Sequence, residues 1–196
     1  MHRNRVMSVL AIGACAGALL ACGSVAVAGS APAAGAAATR GTGAAPARGG
    51  TVRFTAYTND DLPGAMVVLT GAIGDFGDGV SVLPNGTIDP EHTSELNLAL
   101  THGSFRILIG PLHAKLVKAF THFKPNLRTC SGHVAVTGAA PVVAGSGTGS
   151  YKGISGNFTL TVMVNEVDGR SSCHNGASVL LSQALFIIGS GTVSFG

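Results

Sequence analysis

The chain has 196 residues, 11% of them charged, with a formal net charge of +3 and no tryptophan. So weak a charge, with no basic patch interleaved with aromatics, argues against nucleic acid as a partner, and the missing Trp argues against aromatic sugar-binding platforms. All eight Phe and both Tyr follow residue 50, and the first acidic residue is Asp60, so one folded domain is expected over residues 51–196.

The opening "MHRNRVMSVLAIGACAGALLACGSVAVAGS" has a basic start and then an apolar run over residues 6–21. Small residues dominate the run and a cleavage-like segment follows, the pattern of an export signal rather than a transmembrane anchor. "LLAC" resembles a bacterial lipobox, making residues 1–22 the signal and Cys22 the carrier of a lipid that attaches the protein to a membrane. Cleavage after Ala28, behind "AVA", is the alternative; either route places the protein outside the cytoplasm. Residues 23–50 contain only Ala, Gly, Ser, Thr, Pro, Val and Arg, a composition unable to bury enough apolar surface to fold. Such a linker spans about 30 Å as a flexible chain.

From residue 51 the prevailing period is two. "TVRFTAYT" sets Val52, Phe54 and Ala56 against Thr51, Arg53, Thr55 and Tyr57, and "ELNLALT" sets Leu96, Leu98 and Leu100 against Glu95, Asn97 and Thr101. Phe105, Ile107 and Ile109 continue the alternation. "AMVVLTGAI" and "ASVLLSQALFII" are apolar on both faces, which predicts strands covered on both sides. Asn85-Gly86, His102-Gly103, Asp168-Gly169 and Asn175-Gly176 stand where tight turns are needed. In "PLHAKLVKAFTHFKP", Leu112, Leu116, Phe120 and Phe123 recur at helical spacing between two prolines, which predicts one short helix.

Phe158, Leu160, Val162 and Val164 form one face of the strand in "NFTLTVMVNEV", directly after a run dense in glycine. Glycine there suits a sharp turn, a bulge or a close backbone approach, the devices that curl a sheet on itself. The expected fold is all-β, an antiparallel eight-stranded, calycin-like barrel with one short helix; a β-sandwich is the alternative.

"GTGSYKGISGNFTL", residues 147–160, resembles the glycine-rich turn and following strand of the allene oxide cyclase and dirigent barrel superfamily, in its secreted bacterial branch. That resemblance implies an eight-stranded barrel with an apolar cavity and, since members are frequently oligomeric, a homo-oligomer. It implies binding of an apolar small molecule, or guidance of its cyclisation or coupling by confinement without a cofactor. No catalytic residue of the plant members aligns, so none is carried across.

Of four cysteines only Cys130 and Cys173 fall in the folded domain, and outside the cytoplasm they are expected to form a disulfide, with two free buried thiols as the alternative. No nucleophile elbow, phosphate loop or metal-ligand spacing is present, and neither a metal nor a cofactor is expected. "DFGDG", residues 75–79, reads as a turn. Glu95, at the end of "EHTSE", has a defined strand face and is the weak candidate for acid/base catalysis. If apolar faces line the interior, Phe54, Leu98, Phe105, Ile107, Phe158 and Leu160 are the ligand-binding candidates, and filling the core is their other role. A non-catalytic envelope or extracellular module, acting through its surface, is the alternative function.

Overall fold

The computed structural model describes residues 49–59, 64–89, 92–175 and 179–196. The export signal, Cys22 and residues 23–48 of the linker lie outside the described residues. The strands are β1 (Gly50–Asn59), β2 (Ala65–Gly71), β3 (Asp75–Val82), β4 (Glu95–Leu100), β5 (Gly103–Leu108), β6 (Ser131–Pro141), β7 (Ile154–Asp168) and β8 (Leu180–Phe195). All eight belong to one antiparallel sheet in the order β5-β4-β3-β2-β1-β8-β7-β6, so the fold is all-β and built on a single curled sheet.

The sheet curls, and the segment after β6 spans the gap between its two edge strands. Past the end of β6 the chain turns along β5: Val142 bridges Ile107, Val143 N–H donates to Arg106 O at 2.8 Å, and Thr148 N–H donates to Ser104 O at 2.8 Å. Helix α1 (Gly110–Phe120) lies beside the seam against β6. Pro111 occupies its first turn, where a missing N–H costs nothing, and Leu112 and Leu116, one turn apart, point into the core. Lys115 Nζ donates to Thr137 O at 3.0 Å and ties the helix to β6. The half-barrel is thus completed by a loop and a helix.

Alternation sorts the faces as the sequence pattern requires. Val52, Phe54 and Ala56 of β1, Leu96, Leu98 and Leu100 of β4, and Phe158, Leu160, Val162 and Val164 of β7 are all buried in one continuous apolar core. The glycine-rich segment works by close approach. Gly149 has φ +55, and a Cβ there would lie 2.4 Å from His102 O; Gly103 has φ +144, and its Cβ would lie 2.3 Å from Thr148 O. Only glycine on both segments lets residues 147–149 press onto the β4–β5 turn.

Three local expectations change. "DFGDG" is not a turn but the start of β3, paired from Asp75↔Leu69 onward. Two glycines give it the look of a turn, yet Gly79 is buried facing Val67 and Leu96, where an added Cβ would lie 3.0 Å from Val67 Cγ2. Asp168-Gly169 leads into a six-residue helix, α2 (Arg170–Asn175), rather than a two-residue hairpin, and Gly176 lies outside the described residues. Finally, β2 and β8 are covered on one face only: Met66, Val68, Leu181 and Ile188 are exposed on the other.

Candidate functional site

The densest polar constellation closes the end of the barrel where the glycine-rich segment docks. Asp75 begins β3; Thr101 and His102 form the β4–β5 turn; Tyr151 ends a short 3-10 turn (Gly149–Tyr151). The Asp75 side chain is 2% exposed. Its Oδ1 accepts hydrogen bonds from the Thr101 hydroxyl and from Phe76 N–H at 2.8 Å. Its Oδ2 accepts from the Tyr151 phenol and from His102 N–H at 3.1 Å, and lies 3.1 Å from His102 Nδ1. The Tyr151 ring packs on Phe105, centroids 5.3 Å apart.

Electrostatics follow from this geometry. Burial works to raise the Asp75 pKa, but the hydrogen bonds from Thr101, Tyr151, Phe76 and His102 outweigh it and hold the carboxyl well below its ordinary value of 3.8. Burial first, then the hydrogen bond and charge of Asp75, push the Tyr151 phenol far above its ordinary value of 10.0. A carboxylate saturated with donors is a poor base, and a phenol held neutral beside an anion is a poor acid. The constellation is a clasp: it charges one group, satisfies it fully, and fastens the glycine-rich segment to β3 and the β4–β5 turn.

The ligand-binding candidates occupy the middle of the barrel. Phe54, Leu98, Phe105, Ile107, Phe158 and Leu160 are each at most 1% exposed, so none borders a space that would admit a water molecule. Phe54 and Phe158 meet edge to face, centroids 6.0 Å apart. These six side chains pack against one another as core.

Glu95 sits at the start of β4, where Leu96, Leu98 and Leu100 mark the inward face two residues apart. Its Oε2 accepts from Arg106 Nη1 at 2.8 Å, and the same guanidinium nitrogen donates to Pro84 O at 2.8 Å. The pair joins β4, β5 and the loop after β3 on the outer side of the sheet. Cys130 and Cys173 come together although distant in sequence: both thiols reach Leu127 O at 3.9 Å. Both are free thiols in this structure. Hydrogen bonding to Cys130, burial, and the nearby Cys130 and Asp168 together push the Cys173 thiol up to about 11.

Sequence reasoning misses the clasp and a second polar set. Glu166, Asp168 and Gln183 are buried at the end of the barrel away from Tyr151, with Glu166 opposite Gln183. Parity offers a signal there, since Glu166 and Asp168 continue the inward series of Phe158 and Leu160. Nothing local links Asp75 to Tyr151.

The fold and these sites define an all-β half-barrel, one curled eight-stranded sheet around a buried apolar core, with a buried polar clasp at one end. No family model, no curated protein and no solved structure matches the chain.

Proposed function

We propose that this is a non-catalytic, extracytoplasmic module that acts through its outer surface, tethered by the segment that precedes it. The observation that carries this reading is the filled interior: the six side chains suited to line a ligand cavity are packed against one another instead. A barrel of eight strands is near the size at which side chains alone can fill it. The clasp supports the same reading, because its groups are committed to one another. The leader supports export, with Cys22 as the lipid-bearing residue and Cys130 and Cys173 as a disulfide formed outside the cytoplasm. The curled eight-stranded sheet is compatible with the allene oxide cyclase and dirigent barrels that residues 147–160 resemble; the packed interior favours a surface function over ligand cyclisation.

Native mass spectrometry of protein purified from its own host tests the reading. A mass equal to the mature polypeptide plus its anchor is expected. Additional mass lost on denaturation would identify a retained small molecule and overturn the proposal. Labelling with palmitate should mark wild type and not Cys22→Ala; an unlabelled wild type would leave cleavage after Ala28.

A further inference from the structure

The outer face of the sheet carries an apolar belt that the chain itself leaves uncovered. Registers align its residues in two rows across neighbouring strands. One row runs Phe76, Val68, Thr55, Ile188 through β3, β2, β1 and β8; the next runs Met66, Tyr57, Phe186, Met163 through β2, β1, β8 and β7. Met66, Val68, Phe76 and Ile188 are 60, 47, 63 and 43% exposed. Tyr57 and Phe186 stack between them, centroids 4.9 Å apart. The rows beyond are mostly polar: Thr70, Arg53, Ser190 and Thr159 on one side, Asn59, Ala184 and Asn165 on the other. A polar-rimmed apolar patch of this extent, on the order of 500 Å², is at the upper end of what monomers expose. With its rim it approaches the ~800 Å² that each partner contributes to a stable interface.

Charge placement indicates the occupant. Val68 pairs with Thr55 on one side and with Phe76 on the other. Arg53 lies two residues before Thr55 and Asp78 two residues after Phe76, so the two charges occupy opposite diagonals of Val68. Neither forms an ion pair among the described residues. A two-fold axis lying in the face and passing through Val68, perpendicular to the Arg53–Asp78 diagonal, sets each Arg53 over the partner's Asp78 and the centre of the belt over itself. A surface so arranged is complementary to its own copy, as an isologous interface requires. A membrane surface would instead be met by a cluster of like basic charges, and the belt has one charge of each sign.

We propose that the protein forms a two-fold dimer through this belt, with Val68 at its centre and two Arg53–Asp78 ion pairs at its margins. The inference rests on the surface-module reading above and specifies the partner as a second copy of the chain.

Sedimentation equilibrium of the full exported protein, with its acyl chain removed if present, tests the dimer. Wild type should sediment as a dimer. Val68→Lys sets two like charges at the axis and should lose the dimer, while Arg53→Asp should weaken it roughly tenfold or more. The double variant Arg53→Asp/Asp78→Arg should restore it, which no unfolding artefact can mimic. A monomeric wild type overturns the proposal, whether it floats with anionic vesicles or binds a different protein. A dimer indifferent to all three variants overturns it as well. Native mass spectrometry separates this from the surface-module reading: bare monomer defeats only the dimer, whereas retained ligand defeats the surface-module reading whatever the subunit count.

Discussion

The phenol of Tyr151 donates a hydrogen bond to the carboxylate of Asp75, 76 residues earlier in the chain. That one bond joins the glycine-rich segment to β3 and closes the end of the barrel at which β4 turns into β5. Its environment makes both partners sensitive to pH, in opposite directions.

Tyr151→Phe removes one donor from a buried carboxylate and should cost about 1–3 kcal/mol. Urea titration should show a lower midpoint with an unchanged slope. An unaltered midpoint would mean that the clasp contributes nothing to the fold.

The pH dependence of stability should have two limbs. Asp75 has a folded pKa below its ordinary 3.8, so its contribution is complete above that value and is lost as pH falls toward the folded pKa. Tyr151 has a folded pKa above its ordinary 10.0, so its contribution is complete below that value and is lost as pH rises past it. Asp75→Asn should flatten the acid limb, and Tyr151→Phe the alkaline limb. Melting temperatures measured across both windows check this; limbs of wild-type steepness in both variants would refute the assignment.

Phe158→Ala removes a ring from the packed interior and should cost about 3–5 kcal/mol. The space created is apolar and should take up benzene or xenon, which wild type should not. Binding of either probe by wild type at the same site would show that the interior is not filled.

Close approach separates two glycines of the same segment that share a positive φ. Gly145 has φ +71 with open space around it, so Gly145→Ala should cost about 1 kcal/mol. Gly149 combines φ +55 with His102 O at 2.4 Å from an added Cβ, so Gly149→Ala should cost about 3 kcal/mol or more. Equal effects in chemical denaturation would remove the close-approach argument.

Cys130 and Cys173 are placed to be joined. Exposure to a disulfide oxidant such as oxidised glutathione should remove both free thiols, each giving up a proton and together two electrons. A bridge closing a loop of this length should raise the melting temperature by on the order of 10 °C. With the Cys173 thiol pushed up to about 11, oxidation should accelerate as pH rises from neutral toward that value. Unchanged thiol content after oxidation would withdraw the disulfide.

Strand alternation, the Asn85-Gly86 and His102-Gly103 turns and the proline-bounded helix are legible in the sequence by itself. Phe54, Leu98, Phe158 and Leu160 each fall on a definite strand face because side chains on a pleated strand alternate strictly, so parity alone sorts them. Leu112 and Leu116 belong to a helix because their spacing is one turn. These are local regularities, and local regularities are written in consecutive residues. Sequence does not say whether the apolar faces enclose a space or fill it, because that depends on how many strands close and how their side chains mesh across the barrel. Nor does it connect Asp75 to Tyr151, or Cys173 to Cys130 in space, since such contacts exist only after the sheet has curled. Apolar residues on both faces of β2 and β8 predict cover on both sides. Only tertiary structure decides that one of those faces is left open, because cover is supplied by whatever the finished chain, or a second copy of it, brings alongside.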